Sequence, residues 1–234
     1  MRVFLLLGLV LLGATVGASQ ESWVVFPETG QTTRDQLKRQ LNTEAFRHLQ
    51  ARAQEVAALR TKEEAVARQQ VVRAKILRLM GGLPAERTPL NVRFIGREER
   101  DGYRYEKIIF ESQPGFHVPA NVYLPIQGAG PFPAILMPVG HSPEGKEGER
   151  TTAIGLARKG FVVLKYDPIG QGERLQYYDP DLRTSKVGGT TDEHSHANGH
   201  TVLIGDSVAR YRTWDGIRGI DYLVTRPDVD PRRI

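Results

Sequence analysis

The sequence predicts an α/β fold, in which a mixed, mainly parallel sheet is flanked by helices and preceded by a helical extension. Two short apolar runs, 134–139 and 161–166, are bounded by Gly or Pro and have the length of buried strands. A helical pattern lies between them, and strands joined by a crossover helix run parallel. Ahead of them, alternating residues at 103–124 predict antiparallel strands. The sheet is therefore expected to be mixed.

Residues 1–18 have the pattern of a secretory signal peptide. Arg2 precedes an apolar run over 3–16, small residues follow, and cleavage is expected after Ala18. The run is short for a membrane span, so we expect no stable membrane anchor after cleavage; an uncleaved anchor is the alternative. This pattern predicts a secreted or periplasmic protein. The chain contains no Cys, so its stability must come from a large core rather than from disulfides.

The composition is that of a globular protein, with 40% hydrophobic and 25% charged residues among 234. The net charge is +5, and the excess of Lys and Arg lies largely between Arg34 and Arg78, where the pattern is helical. No nucleic-acid recognition motif or interleaved aromatic residue accompanies these charges. We therefore interpret them as a solvated helix face and expect no nucleic-acid partner. After the signal peptide, the predicted organisation is a helical extension over 19–90 and a sheet domain over 91–234.

Two helices are predicted in the extension. The first covers about 43–59, and the second is opened by Thr61-Lys-Glu-Glu64, a capping box in which the Thr hydroxyl and the Glu carboxylate satisfy free amides. Gly81-Gly-Leu-Pro84 ends the second helix. This helix is expected to bury one apolar stripe, made of Val66, Val72, Ile76, Leu77 and Met80.

The sheet domain begins with a predicted hairpin. Its strands cover 103–111 and 116–124, with a turn at 112–115 between them, and the loop 127–131 leads to the parallel unit. In that unit a short helix over 151–159 connects the two buried strands.

In parallel sheets, chemistry gathers at the carboxyl ends of the strands, which here are the segments 140–142 and 167–172. A last helix starts near Asp206 and ends before Pro227. Its apolar positions, at steps of three and four, are Val208, Tyr211, Trp214, Ile217, Ile220 and Val224.

From about residue 90 to the end, the chain resembles the α/β-hydrolases. More narrowly, it resembles the exported acetyl xylan esterase-like and dienelactone hydrolase-like branch. The resemblance rests on three strings, PVGHSPEGK (138–146), KYDPIGQGER (165–174) and WDGIRGIDYLVTRPDVDPRRI (214–234). It implies an α/β-hydrolase domain and ester hydrolysis by a Ser, acid and His triad.

The resemblance also implies where that triad lies. In the family the nucleophile is on a G-x-S-x-G elbow after the next strand, and the acid and His follow it. Residues 230–234 look like the entry to this strand. The elbow, the acid and the His are therefore expected beyond Ile234, and the chain is expected to be the N-terminal part of an enzyme with no catalytic residue of its own.

Ser142 superficially matches a nucleophile elbow, and we reject it on three grounds. The second Gly comes one residue late, at Gly145, which alters the tight turn that exposes the hydroxyl. Pro143 follows the serine and has no amide hydrogen for an oxyanion hole. The site also follows the first strand of the parallel unit, whereas the family has its elbow later. The alternative, Ser142 with His200 and an acid such as Asp192, stays open.

Gly140 and His141 are the candidates for half of an oxyanion hole. In the resembled family, one of the two amides that stabilise the tetrahedral oxyanion comes from the loop after this strand. By position His141 is the expected donor, and Gly140 lets the backbone approach the substrate. An ordinary strand-to-helix turn is the alternative. A general-base role for His141 is disfavoured, because the family takes its base from a later segment.

The segment 167–174 invites a nucleotide-binding interpretation, since glycines after a strand can cradle phosphate. It lacks the third Gly of a dinucleotide fingerprint and does not open a helix directly, so no cofactor is expected. We interpret it first as structural, with Glu173 and Arg174 paired to each other or to the loop. In the resembled family this loop forms the rim of the active site, which here would comprise Asp167, Gly170, Gly172, Glu173 and Arg174.

Three histidines, His194, His196 and His200, form the last candidate cluster. Alternating His194 and His196 in an extended segment would point the same way, as two metal ligands can, with His200 as a third. The preferred interpretation has no metal: the segment is a polar insertion over the carboxyl edge of the sheet, and one of these histidines lines the substrate pocket.

Two classes of function remain open on the sequence. The first is an exported carboxylic ester hydrolase acting on a small-molecule ester or an acetylated carbohydrate. The second is a non-catalytic fragment or binding remnant of the same fold. A serine peptidase of the same fold is a third option, because residues before the elbow do not separate it from an esterase. The oligomeric state does not follow from these patterns.

Overall fold

The structure, a computed structural model, describes residues 35–234. The chain divides into two compact units, with the boundary between Ala65 and Val66. The domain division that the sequence suggests near residue 90 stays a prediction, and the predicted signal peptide lies outside the described residues. Within 35–234, no helix combines the length and the apolar character needed to cross a membrane.

Both helices of the extension are confirmed. Helix α1 covers Gln36–Ala57 and α2 covers Lys62–Leu79. The capping box at the start of α2 is also confirmed, since Thr61 Oγ1 accepts from the Glu64 amide at 3.1 Å and Glu64 Oε2 accepts from the Thr61 amide at 3.2 Å.

The prediction that α2 buries an apolar stripe is wrong. Val66 is 45% exposed and Ile76 is 51% exposed, and no residue of α2 is buried. The helical period sets which side chains share a face, but that face is buried only where another surface packs on it.

The sheet has five strands in the order β1-β2-β3-β5-β4, and they are antiparallel except for the β4–β5 pair. This confirms the hairpin, the parallel unit and the mixed sheet. Within the described residues the sheet is mainly antiparallel rather than mainly parallel, because three of its four strand pairs are antiparallel. The strands are β1 (Arg93–Arg100), β2 (Tyr103–Gln113), β3 (Phe116–Pro125), β4 (Ala134–Pro138) and β5 (Val162–Tyr166).

Strand β1 was not predicted from the sequence. Its last four residues are charged and mostly exposed, and a register shift interrupts its pairing with β2 between Phe94 and Gly96. Charged residues and bulges are typical of edge strands, and they remove the apolar alternation by which a strand is recognised.

A helix covers each face of the sheet. Helix α3 (Arg150–Arg158) buries Ala153 and Ala157 with Tyr123 and Val163 on one face. Helix α5 (Val208–Thr225) buries Tyr222 and Leu223 on the other. Strands β6 (Tyr178–Asp179) and β7 (Thr184–Ser185) and helix α4 (Thr190–Leu203) lie between β5 and α5 in the chain.

The end of α5 before Pro227 is confirmed, but two of its predicted stripe residues face outward. Ile220 is 40% exposed and Val224 is 50% exposed. Gly219 faces the sheet instead, where an added Cβ would lie 2.9 Å from Leu136 Cδ1. The absence of a side chain lets the helix approach the strands closely, and the buried face contains Trp214, Gly219, Tyr222 and Leu223 rather than Ile220 and Val224.

The last residues run beside the start of β4. The Phe132 amide donates to the Asp228 carbonyl at 2.9 Å, and the Ala134 amide donates to the Arg233 carbonyl at 2.8 Å. Beyond this contact β4 is the edge strand of the described sheet.

Candidate functional site

The carboxyl ends of β4 and β5 lie at the same edge of the sheet, because the two strands are parallel neighbours. We call the segment 140–148 after β4 the β4 turn, and the segment 167–174 after β5 the β5 loop. Each contains a single 3₁₀ turn, at Gly145–Glu147 and Gly172–Arg174 respectively. The candidate site is formed where these two segments meet.

Asp167 joins the β4 turn to the β5 loop. Its carboxylate is fully buried and accepts from the Lys146 amide at 2.6 Å, from Lys146 Nζ at 2.8 Å and from the Glu173 amide at 3.1 Å. Gly145 and Gly172, both at φ +55°, lie so close that a Cβ on either would overlap this carboxylate. Gly172, one of the glycines that suggested a phosphate cradle, thus makes room for an aspartate, and so does Gly145 of the β4 turn.

Lys146 is held by two carboxylates. Its side chain is 8% exposed and pairs with Asp167 and with Glu173. Burial lowers the pKa of the Lys146 ammonium, but the hydrogen bonds to Asp167 and Glu173 outweigh it and the pKa is raised overall. Lys146 therefore gives the β4 turn a buried positive charge that is fixed in position.

Glu173 and Arg174 do not pair with each other. Glu173 pairs with Lys146, whereas Arg174 donates to the Asp167 carbonyl at 3.0 Å and to Asp215 Oδ2 at 2.7 Å. Arg174 and Asp215 are both buried. Of the two alternatives from the sequence, attachment of Arg174 to the loop is the one observed, and Asp215 of α5 is a partner that sequence reasoning missed. The Gly170 amide closes the loop by donating to the Arg174 carbonyl at 2.9 Å.

Gln171 is a second buried side chain that joins the two segments. Its Nε2 donates to the Gly140 carbonyl at 2.5 Å and to the Ser142 carbonyl at 2.9 Å. The Ser142 amide also donates to the Gly140 carbonyl, at 2.8 Å. The His141 amide makes no hydrogen bond to any residue in 35–234.

Ser142 has a carboxylate as its partner. Its Oγ donates to Glu144 Oε2 at 2.5 Å, and this bond lowers the pKa of the exposed Glu144 carboxyl. Across the described part of the chain, no serine hydroxyl is hydrogen-bonded to a histidine ring. The rejection of Ser142 as a nucleophile stays a prediction, since no direct test bears on it.

The metal-site alternative requires His194 and His196 to lie in an extended segment, but both are in helix α4. Residues two apart on a helix point about 200° apart rather than the same way. His194 Nε2 lies 2.8 Å from the Ile169 carbonyl, while His196 packs against the Tyr177 ring, whose hydroxyl is 2.9 Å from His200 Nδ1. Residues 35–234 contain no group of three or more acidic or His side chains placed to hold a metal ion.

His194 is the histidine that reaches the candidate site. Its ring centroid is 5.2 Å from that of His141. Burial is the main cause that lowers the pKa of His194, and the positive charge of Arg212 adds to it. The β4 turn is thus flanked by a histidine that favours its neutral form.

Glu193 is a structural residue that the sequence did not reveal. It is fully buried, and its carboxylate accepts from the Gln176 amide at 2.8 Å and the Tyr177 amide at 3.2 Å. This anchors α4 over the segment that follows the β5 loop. The local sequence Asp-Glu-His does not indicate whether its glutamate is buried or exposed to solvent.

A groove of about 470 Å³ lies beside the β4 turn. Its floor is made of apolar residues of β1 to β3, and its wall carries charged and amide side chains. The lining includes Ile95, Ile109, Pro119, Asn121, Glu144, Lys146, Glu147 and Glu173. A groove of this size can hold a small ligand.

Comparison with known proteins confirms the predicted fold. No protein-family model matches the chain. It is 25% identical over 174 residues to "Putative hydrolase YtaP" of Bacillus subtilis strain 168, an alignment that covers 69% of this chain and 53% of that protein. The chain thus spans about half the length of the curated relative it matches.

Solved structures of esterases are among those similar to the chain. A "putative acetyl xylan esterase" from Bacteroides fragilis has a TM-score of 0.60 and 21% identity, over 74% of this chain and 46% of that one. "Methylesterase BT1017" has a TM-score of 0.57 and 25% identity, over 78% of this chain and 37% of that one. Both are named as esterases, and the chain shares their α/β-hydrolase-like fold.

Proposed function

We propose that this chain is part of an exported carboxylic ester hydrolase in which the His141 amide is one donor of the oxyanion hole. The observation that carries the proposal is the unpartnered His141 amide in a turn held from below at the carboxyl end of β4. A hydrolase needs donors that are already in place where the negative charge develops. In α/β-hydrolases one of the two comes from this turn.

We place the Ser, acid and His of the triad outside residues 1–234. Two features of Ser142 support this. Its hydroxyl donates a hydrogen bond to Glu144, and Pro143 after it has no amide hydrogen to donate to an oxyanion. The chain then contributes half of the oxyanion hole, the rim formed by the β5 loop, and the His194 wall.

The groove beside the β4 turn supports a carbohydrate ester as the substrate. Its wall offers the carboxylates of Glu144, Glu147 and Glu173, which can accept hydrogen bonds from sugar hydroxyls, above an apolar floor. Of the similar structures, one is named as an acetyl xylan esterase, which supports an acetylated carbohydrate, and the other as a methylesterase, which supports a small ester more generally. We therefore expect an acetylated carbohydrate, or another small ester, to be hydrolysed.

Export is part of the proposal and rests on the signal pattern in residues 1–18. Expression in a Gram-negative host with its own leader should yield, in the periplasm or medium, a protein whose first residue is Ser19. Recovery of a cytoplasmic protein that still carries the leader would contradict export.

The activity is tested on the full-length product of the gene. We expect turnover of p-nitrophenyl acetate that is lost when the serine of a G-x-S-x-G motif following Ile234 is replaced by alanine. The matched control, Ser142→Ala, should retain turnover within about threefold, because this serine only bonds the exposed Glu144. No turnover of acetyl or methyl esters would overturn the proposed function, and loss of turnover in Ser142→Ala would overturn the placement of the triad.

A further inference from the structure

Gln171 is a buried amide at the centre of the candidate site. It has no exposed surface, and both of its hydrogen bonds go to carbonyl groups of the β4 turn, at Gly140 and Ser142. A single NH₂ group thus bridges the two carbonyls on either side of His141. Only a side chain with two donors and no charge fits this arrangement without burying an ion.

The bridge determines where the His141 amide points. The peptide bond between Gly140 and His141 is trans, so its C=O and N–H point in opposite directions. The Gly140 carbonyl is directed at Gln171 Nε2, and the Ser142 amide is directed at that same carbonyl. The His141 amide has no hydrogen-bond partner among residues 35–234, and it points away from Gln171.

The other end of the amide gives an independent sign of a dedicated role. Gln171 Oε1 is buried and has no hydrogen-bond partner within the described residues. An unpaired buried acceptor destabilises a protein by about 1–3 kcal/mol. A glutamine kept at this position for stability alone would be expected to satisfy both ends of its amide.

We propose that Gln171 is the positioning residue of the oxyanion hole, which orients the His141 amide by clamping the carbonyls of Gly140 and Ser142. The proposal rests on the proposed ester hydrolase function, since an oriented amide matters only if an oxyanion forms. It assigns a role to the glycine-rich segment of the β5 loop that a phosphate cradle does not explain. Gln171 and Asp167 of this segment both hydrogen-bond to the β4 turn and hold its backbone in place.

The first test measures amide hydrogen exchange by NMR on the full-length product of the gene, because we expect the 234-residue chain to self-associate. Gln171→Met keeps the side-chain length and removes both donors, and should raise exchange of the Ser142 amide about tenfold. Exchange of the Lys146 amide, which Asp167 holds, should change less than about threefold. The matched control is Gln176→Met. It removes a side-chain amide that donates to the Arg174 carbonyl, and it should leave exchange of the Ser142 amide unchanged. Unchanged Ser142 exchange in Gln171→Met would overturn the clamp; if that variant does not fold, Gln171→Glu repeats the measurement.

The second test measures esterase kinetics on the full-length product. Gln171→Met should lower kcat by about tenfold to a hundredfold with KM within about threefold, because a misdirected donor weakens only transition-state binding. Gln176→Met should keep kcat within about threefold. An unchanged kcat in Gln171→Met, or an equal loss in the control, would overturn the role. If the wild type shows no turnover, the ester hydrolase proposal fails, and the exchange measurement alone decides whether Gln171 orients the turn.

Discussion

Asp167 shows at the residue scale how the site is held together. Its carboxylate has no contact with water and accepts three hydrogen bonds from Lys146 and Glu173. A buried ion pair adds little when both partners are present, but removal of one partner leaves the other charge uncompensated. The β4 turn therefore depends on this one carboxylate more than on any exposed ion pair.

We predict that Asp167→Ala lowers the free energy of unfolding by about 3–5 kcal/mol, because it strands the buried Lys146 ammonium. Urea denaturation followed by circular dichroism measures this. Glu173→Gln is the control, because it removes the charge of the other partner of Lys146. The Glu173 side chain is 69% exposed, so this variant should lower the free energy of unfolding by less than about 1 kcal/mol. Equal losses in the two variants would show that burial does not decide the strength of this network.

His194 gives a prediction for pH dependence. Its pKa lies below 6.5 in the folded protein, first because the ring is buried and then because Arg212 is near. Between the folded pKa and 6.5 the unfolded chain binds more protons, so this residue destabilises the fold as the pH falls through that window. NMR titration should find His194 below its ordinary pKa, and Arg212→Gln should raise it. Arg210→Gln, which removes the partner of Asp206, should leave it unchanged; a value at or above 6.5 in the wild type would contradict the assignment.

At the scale of elements, the contact between α5 and the sheet is decided by a glycine. Gly219 faces Leu136 and Leu164, and an added Cβ would lie 2.9 Å from Leu136 Cδ1 and 3.3 Å from Leu164 Cδ2, so these packed side chains would have to shift. In α3, Gly155 has open space around its Cα, so a side chain would meet nothing within 4 Å. These two helical glycines therefore serve as a matched pair.

We expect Gly219→Ala to lower the free energy of unfolding by about 1–3 kcal/mol, because overpacking outweighs the gain in helix propensity. Gly155→Ala should instead raise it by about 0.5–1 kcal/mol, since only the propensity changes. Thermal unfolding of both variants by calorimetry measures the difference. A stabilising Gly219→Ala would show that α5 can move away from the strands without cost.

At the scale of the whole molecule, the sheet ends on an open edge. The Ala134 amide faces away from β5 to reach Arg233, and by the alternation of strand hydrogen bonds the amide and carbonyl of Leu136 face the same way. No described strand lies beyond them. An apolar strand with an unpaired edge is a template for pairing with another chain.

We therefore predict that the 234-residue chain self-associates. Light scattering at micromolar concentration should report species larger than a monomer, and Leu136→Pro, which removes the outward amide, should reduce them. Met137→Pro is the control on the other edge: it breaks the pairing with β5 and should unfold the sheet instead. A monodisperse wild-type monomer would contradict the prediction.

Much of this architecture is readable in the sequence, because it depends on local periodicity. The runs that became β2 to β5, the capping box at Thr61 and the stop at Pro227 each need only the neighbouring residues to be recognised. The same is true of the Gly140–His141 turn, which follows directly from the end of a buried strand. The fold class and the place of the candidate site were therefore predictable.

What the tertiary structure alone decided are the contacts between distant segments. The Gln171 bridge spans 31 residues and the Arg174–Asp215 pair spans 41, and no periodicity links such positions. The predictions that α2 buries an apolar stripe and that Ile220 is buried in α5 were wrong for the same reason. An apolar stripe shows which helix face could be buried, but that face is buried only where another element packs on it. The sequence by itself determined strands β2 to β5, helices α1, α2, α3 and α5, and the turn that carries the candidate oxyanion amide. The direction of that amide depends on side chains from distant segments that only folding brings together.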